Sequence, residues 1–265
     1  MTMKNTMKAL ILALTFALLL SLTACGGKNK DVELTVFAAA SMQETLTEIG
    51  ENYRKDHPNV TLTFNFDSSG TLQTQIEEGA VCDVFISAGQ KQMNALADGG
   101  YLLDGTRFDL LENKVALAVP EGNPAGIRSY EDLRSALEAG TVVLAMGNSD
   151  VPVGQYTQKI LAWFGLDEAA LAGAGCITYG SNVKEVTTHV SEGMVDCGII
   201  YGTDAFSAGL TVVDTATEEM CGQVIYPAAV LGGSEHADEA GAFLDYVRSA
   251  EGAAVLESVG FTPLG

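Results

Sequence analysis

From Val32 onward, short apolar strands alternate with amphipathic helices, and this order restricts the folds open to the chain. Residues 32–36 show the period of two that is typical of a strand, and residues 42–53 show helical spacing until His57-Pro58 ends the helix. The same order recurs over residues 60–76 and 84–96. Three strand–helix units in a row require parallel pairing with right-handed crossovers. The sequence therefore predicts an α/β domain.

A second series of strands and helices begins after residue 120. Lys114 to Pro120 is predicted as a strand, and Ser129-Tyr130-Glu131-Asp132 matches a helix capping box. The apolar run Val224 to Leu231 leads back to the first domain, and its Pro227 predicts an edge or linking strand. We expect two α/β lobes, each a mostly parallel sheet flanked by helices, joined as a hinged clamshell with a ligand between them. The predicted lobes comprise residues 32–120 with 222–265, and residues 121–221.

The N-terminal residues have the pattern of an export signal. Two lysines precede an apolar run of 14 residues from Ala9 to Leu22, which is shorter than the roughly 18–20 residues of a membrane span. Cys25 follows Leu22-Thr23-Ala24, and this order resembles the lipobox of bacterial lipoproteins, in which the cysteine carries a lipid. We expect residues 1–24 to be removed, residues 25–31 to form a tether, and the lipid on Cys25 to anchor the protein outside the cell membrane. An ordinary signal peptide with an incidental cysteine is the alternative, and Met1, Met3 and Met7 are alternative starts.

The charge of the mature chain excludes one class of partner. After residue 24 there remain 12 basic and 34 acidic side chains, a formal charge of −22. Nucleic-acid binding needs a basic surface, so we expect no nucleic-acid partner. Four cysteines remain, and their spacing matches no zinc or redox motif, so disulfides and buried free thiols stay open as alternatives. They are Cys82, Cys176, Cys197 and Cys221.

The predicted ligand site lies where strands end and helices begin, since open α/β sheets bind ligands at the carboxyl ends of their strands. The loops at these ends are rich in small and hydroxyl-bearing residues and contain neither Lys nor Arg. Free N–H groups at helix N-termini together with serine hydroxyls are suited to an anion. Ser41, Ser69 and Asn182 are also explained as N-caps, which Ser and Asn commonly are.

The order of several motifs along residues 32–262 resembles the molybdate-binding proteins of ABC importers. The most specific are the Ala-Ala-Ala-Ser turn that ends at Ser41, the segment Asp83-Val84-Phe85-Ile86-Ser87 and the segment Tyr201-Gly202-Thr203-Asp204-Ala205. Weaker matches are Ser68 to Leu72, Asn148 to Gly154 and Gly260-Phe261. The resemblance implies a periplasmic-binding-protein-like clamshell of type II. It also implies an extracytoplasmic protein that captures molybdate, and tungstate as well, and delivers it to the membrane permease of an ABC importer.

The resemblance also implies which residues hold the oxyanion. In that family two serines, two backbone N–H groups of the second lobe and a tyrosine hydroxyl bind the ligand. Matched motif by motif, these positions fall on Ser41, Ser69, Val153, Val183 and Tyr201. The match is weaker at Val183, where the chain is less similar. No cofactor is expected, molybdenum enters only as the oxyanion, and we expect a monomer.

Asp67 departs from the family pattern, which has a small neutral residue two positions before the second serine. A carboxylate in the pocket would repel a dianion or accept a hydrogen bond from a protonated oxyanion such as phosphate. We expect Asp67 to point outward, as a cap or in solvent. Sulfate and phosphate remain alternative ligands.

Other function classes find less support in the sequence. A serine hydrolase would need a nucleophile elbow or a serine near a histidine and a carboxylate. The chain has no Gly-x-Ser-x-Gly, and none of His57, His189 and His236 lies at a predicted strand end. A receptor for an organic anion or amino acid would normally place an Arg or Asp in the cleft loops, and the absence of Arg from these loops speaks against that class. We therefore predict a binding protein rather than an enzyme.

Overall fold

The computed structural model describes residues 30–264 and contains two mixed β-sheets flanked by helices. We call the six-stranded sheet with its helices the first lobe, and the five-stranded sheet with its helices the second lobe. The strands of the first lobe are β1 (Val32–Ala39), β2 (Val60–Asp67), β3 (Val84–Ile86), β4 (Phe108–Asn113), β10 (Val224–Val230) and β11 (Thr262–Pro263). The strands of the second lobe are β5 (Val115–Val119), β6 (Leu144–Gly147), β7 (Ile177–Gly180), β8 (Cys197–Tyr201) and β9 (Thr211–Thr215).

The helices follow the strands in the order that the sequence predicts for the α/β units. A short 3-10 helix, Ala40–Met42, comes directly after β1. The helices of the chain up to the start of β7 are α1 (Gln43–Asp56), α2 (Ser69–Glu77), α3 (Gln90–Asp98), α4 (Tyr130–Glu138), α5 (Pro152–Trp163) and α6 (Glu168–Gly173). The remaining helices are α7 (Val183–Ser191), α8 (Gly202–Ser207), α9 (Glu218–Cys221), α10 (Ala237–Val247) and α11 (Ala250–Ser258).

The predicted two-lobe α/β architecture is confirmed, but the sheets are mixed rather than mostly parallel. The strand order is β11-β4-β10-β3-β1-β2 in the first lobe and β7-β6-β8-β5-β9 in the second. β3 pairs with β1 in parallel, and β6 pairs in parallel with β7 and β8. The strands next to the crossings, β4, β5, β9 and β10, pair in antiparallel fashion. These strands flank the two points at which the chain passes between the sheets, from β4 to β5 and from β9 to β10.

Two details of the crossings differ from the sequence prediction. β5 pairs with β8 and β9, so the chain first passes between the sheets at Lys114 and not after Pro120. β10 is a linking strand, but it lies between β3 and β4 and not at an edge. A shift of register between Tyr226 and Pro227 removes the need for a ladder hydrogen bond from the proline, and the Pro227 carbonyl still accepts from the Ser87 N–H.

Large apolar side chains fill each lobe around its sheet. Leu34, Phe85 and Phe243 are fully buried in the first lobe, and Leu144 and Ile199 are fully buried in the second. The thiols of Cys82, Cys176, Cys197 and Cys221 are free and buried, which decides between the two alternatives left open by the sequence. Burial raises the pKa of the Cys82 and Cys197 thiols to about 12.

The predicted signal peptide, Cys25 and most of the predicted tether lie outside the described residues. Within residues 30–264, no helix combines the length and the apolar character that crossing a membrane requires.

Candidate functional site

A small cavity lies between the lobes, at the carboxyl ends of strands from both sheets. The space between its lining atoms is about 200 Å³, part of it open to solvent. All five residues that the sequence predicts to bind a ligand line this cavity: Ser41, Ser69, Val153, Val183 and Tyr201. Its wall is completed by Ala39, Ala40, Asp67, Ser68, Ala88, Val151 and Pro152. The fold therefore brings the predicted residues together in a space that suits a small ion.

The two serines are not helix caps. Ser68, one residue earlier, is the N-cap of α2, and its Oγ accepts a hydrogen bond from the Thr71 N–H. Ser69 is the first residue of α2 and is fully buried, and its Oγ accepts from the Ala88 N–H at 2.9 Å. Ser41 lies inside the 3-10 helix, which has no side-chain cap. The cap interpretation holds for Asn182, whose Oδ1 accepts from the Glu185 N–H at the start of α7.

Three helices, one from the first lobe and two from the second, begin at the cavity. Ser69, Val153 and Val183 are the first or second residues of α2, α5 and α7. The first four N–H groups of a helix have no partner within the helix. The positive ends of the three helix dipoles add to these donors, so the cavity favours negative charge.

Tyr201 closes the cavity from the second lobe. It ends β8 and is 1% exposed. Burial raises the pKa of Tyr201 well above its ordinary value, so its hydroxyl stays protonated and can donate. The hydroxyl donates to the Ala88 carbonyl at 3.5 Å, a long and weak hydrogen bond. Such a hydroxyl is readily redirected to a ligand.

Asp67 does not point outward as expected, since it lies in the wall of the cavity. Its Oδ1 accepts from the Ser68 N–H at 2.7 Å and from the Asn182 amide at 3.2 Å, across the cleft. The physical reason is that these two donors satisfy the carboxylate at the cavity wall. Asp67 thus accepts a hydrogen bond that links the first lobe to the second.

A lysine lies beside the site but its charge is neutralised by two carboxylates. Lys184 follows Val183, and its Nζ lies 2.7 Å from Glu44 Oε2 of the first lobe and 3.1 Å from Asp204 Oδ1. Burial lowers the pKa of Lys184, but the two carboxylates outweigh it and the net pKa is raised. Burial raises the pKa of Asp204 to about 6. The attraction of the cavity for an anion therefore comes from donors and helix dipoles.

The sequence did not point to a layer of polar residues behind Ser41. The Ser41 Oγ lies 2.9 Å from the Tyr226 hydroxyl, and the Asn113 amide donates to that hydroxyl and to Thr203 Oγ1. Asn113 and Tyr226 belong to β4 and β10, which meet only through long-range antiparallel pairing. A local pattern that could have identified these two residues is missing from the sequence.

Comparison with known proteins decides the family. Residues 34–262 match the model of the bacterial extracellular solute-binding proteins. The chain belongs to this family. The solute-binding protein is 35% identical to the molybdate-binding protein ModA of Escherichia coli (strain K12), over 94% of this chain and 95% of that one. It is also 35% identical to YvgL of Bacillus subtilis (strain 168), whose name describes a substrate-binding lipoprotein of an ABC transporter, over 88% of both chains.

Solved structures show the same fold. A substrate-binding domain from Clostridium difficile, described as part of a molybdenum ABC transporter, is 34% identical with a TM-score of 0.66. The match covers 88% of this solute-binding protein and all of that domain. A distant relative, at 24% identity over 94% of this chain, is the aconitate isomerase of Pseudomonas sp.

Proposed function

We propose that this solute-binding protein captures molybdate outside the cell and delivers it to the membrane permease of an ABC importer. Tungstate, which has the same charge and shape, is proposed as a second ligand. The protein acts as a monomer and performs no chemistry on the ligand. The observation that carries the proposal is the convergence of Ser41, Ser69, Val153, Val183 and Tyr201 on one small interlobe cavity.

The donors of the cavity support an oxyanion without protons. Hydroxyl groups and N–H groups at helix starts offer hydrogen atoms to every ligand oxygen. Molybdate, tungstate and sulfate are fully deprotonated near neutral pH and need only donors. Phosphate carries a proton whose hydrogen bond would stay unmade, at a cost of about 1–3 kcal/mol. Asp67 Oδ1 already accepts from two donors, so the acceptor that Asp67 offers to that proton is its other oxygen, Oδ2.

The choice of molybdate over sulfate is supported by the relatives. Both ions are dianions, so donors alone do not separate them, and the size of the closed cavity must do so. The identity of 35% to the molybdate-binding ModA of Escherichia coli extends over nearly the whole chain.

The lipid anchor is a further part of the proposal. It rests on Cys25 after Leu22-Thr23-Ala24 and on the similarity to YvgL, which is named a lipoprotein. With a formal charge of −22 after removal of the signal, the mature protein would be repelled by anionic headgroups. We propose that the lipid on Cys25 holds it at the outer face of the cell membrane.

The test is a titration of the purified mature protein with molybdate, tungstate, sulfate and phosphate, followed by thermal shift and calorimetry. Molybdate at a hundred times its dissociation constant should add about 2.7 kcal/mol of stability. Ser41→Ala, Ser69→Ala and Tyr201→Phe should each weaken molybdate binding at least tenfold, because each removes a hydrogen bond to a buried dianion worth about 1.5–3 kcal/mol. The stability of the ligand-free variants should fall by less than about 2 kcal/mol.

The matched control is Ser129→Ala, which removes the N-cap of α4, a helix that contributes no residue to the cavity wall. It should cost about 0.5–2 kcal/mol of stability and leave affinity unchanged. If the three site variants bind molybdate like the parent, the oxyanion site lies elsewhere. A phosphate shift as large as the molybdate shift would refute the selectivity argument.

A further inference from the structure

A chain of three hydrogen-bonding groups runs from the crossing between the lobes to the cavity. The Asn113 Nδ2 donates to the Tyr226 hydroxyl at 3.2 Å, and that hydroxyl lies 2.9 Å from the Ser41 Oγ. Tyr226 is fully buried, and Asn113 and Ser41 are 3% and 4% exposed. Water therefore has little access to these groups, and each must find its partners within the protein.

The hydrogen bonds of Asn113 determine the orientation of its side-chain amide. Its Oδ1 accepts from the backbone N–H of Lys114 at 2.8 Å, and a backbone N–H can only donate. The side-chain atom facing Lys114 is therefore the oxygen. The NH₂ group then faces Tyr226 and Thr203, where it donates to both hydroxyls.

This orientation places one hydrogen on the Tyr226 oxygen, donated by Asn113. Either oxygen of the Tyr226–Ser41 pair, 2.9 Å apart, can be the donor, and we assign the donation to Tyr226, with Ser41 Oγ as the acceptor. Burial raises the pKa of Tyr226 well above its ordinary value, so the proton stays on this hydroxyl. With a lone pair occupied by Tyr226, the Ser41 hydroxyl turns its own hydrogen toward the cavity that it lines.

We propose that Asn113 and Tyr226 are positioning residues that hold Ser41 as a hydrogen-bond donor and so select fully deprotonated oxyanions over protonated ones. This inference rests on the proposed function, and it assigns part of the selectivity to residues outside the cavity wall. Without the chain, the Ser41 hydroxyl could rotate and accept a hydrogen bond from a protonated phosphate. With the chain, a ligand hydroxyl facing Ser41 meets another hydrogen.

The same amide also contacts the second lobe. Asn113 Nδ2 lies 2.9 Å from Thr203 Oγ1 in α8, two residues after Tyr201. Asn113 is the last residue of β4, directly before the crossing at Lys114. Asn113, which orients the Ser41 hydroxyl through Tyr226, therefore lies at the point where the chain passes between the lobes.

The test is the pattern of selectivity in Tyr226→Phe, which removes one hydroxyl and keeps the ring. Calorimetry and competition titrations should compare molybdate, sulfate and phosphate at a pH where phosphate carries a proton. We expect molybdate and sulfate affinities to fall together by roughly tenfold, since both lose the fixed donor. Phosphate affinity should stay the same or rise, so that the molybdate-to-phosphate ratio falls at least tenfold. Asn113→Leu should change the ratio in the same direction.

The matched control is Tyr53→Phe, which removes the hydroxyl of another buried tyrosine of the first lobe that does not line the cavity. It should leave the ratio unchanged. A purely structural role for Tyr226 would weaken all three ions by the same factor, and that result would overturn this inference while the proposed function stands. Failure of the parent to bind any of the three ions would overturn both. If Asn113→Leu does not fold, Tyr226→Phe alone still decides.

Discussion

Gly70 is a residue at which the backbones of the two lobes approach each other closely. It is the second residue of α2, and a Cβ atom placed on it would lie 2.2 Å from the Asp150 carbonyl oxygen of the second lobe. Ordinary contact begins at 3.4 Å. In Gly70→Ala the loop that carries Asp150 must therefore move away by about 1 Å, since packed backbone cannot be compressed.

The expected loss of molybdate affinity follows from the backbone N–H groups that move with this loop. Val153 lies three residues after Asp150, is the second residue of α5 and lines the cavity. A displacement of about 1 Å would stretch a hydrogen bond of about 2.9 Å beyond the useful range. The loss of one hydrogen bond to a dianion is worth about 1.5–3 kcal/mol, or about 10- to 150-fold in dissociation constant. Ligand-free stability should also fall, because the atom that must shift is backbone, and the better helix propensity of alanine offsets only up to about 1 kcal/mol of that cost.

The assay is molybdate calorimetry on Gly70→Ala, with small-angle X-ray scattering before and after ligand addition. The parent should become more compact on binding, and the variant should do so less. Gly241→Ala is the control, since its Cβ in α10 would meet nothing within 4 Å. Unchanged molybdate affinity in Gly70→Ala would refute the argument that close approach at this point is needed for binding.

Two further predictions concern a buried carboxyl and the membrane anchor. Burial raises the pKa of Asp204 to about 6 from 3.8, so the folded state binds this proton more tightly than the unfolded chain does. Ionisation of Asp204 therefore lowers the free energy of unfolding as the pH rises. Relative to the parent, Asp204→Asn should therefore gain about 1 kcal/mol between pH 5 and pH 7 in urea denaturation, whereas the exposed Asp98→Asn should follow the parent. Cys25→Ser in the native host should leave the protein unprocessed or release it from the membrane fraction, and unchanged fractionation of mature protein would exclude the lipid anchor.

Local patterns were sufficient to predict the first three strand–helix units of the chain. β1, β2 and β3 with their helices follow from periodicity, and Ser129 is the N-cap of α4 at the position that the sequence predicts. The sequence failed where the outcome depends on partners distant in the chain. β4 was not predicted, because Asp109 and Glu112 interrupt its apolar pattern, although it pairs with both β10 and β11.

The residues that line the cavity could be predicted from the sequence, but the residues behind them could not. The resemblance identified five residues that line one cavity, because the motifs stand next to the strand ends. A shift of one residue separates Ser68, which caps α2, from Ser69, and composition alone could not decide between them. The orientation of Asp67 depends on Asn182 across the cleft, and the chain behind Ser41 depends on β10 lying beside β4.

The central position of β10 has a consequence for the order in which the chain can fold after export. All strands of the second lobe lie within residues 115–215, so this lobe can assemble as soon as that continuous segment has emerged. The first lobe cannot, because β3 and β4 are joined only through β10, at residues 224–230. Its sheet stays divided into two parts until nearly the whole chain is available, and such long-range pairing is slow. The first lobe is therefore the part most dependent on protection from aggregation while the protein leaves the cell.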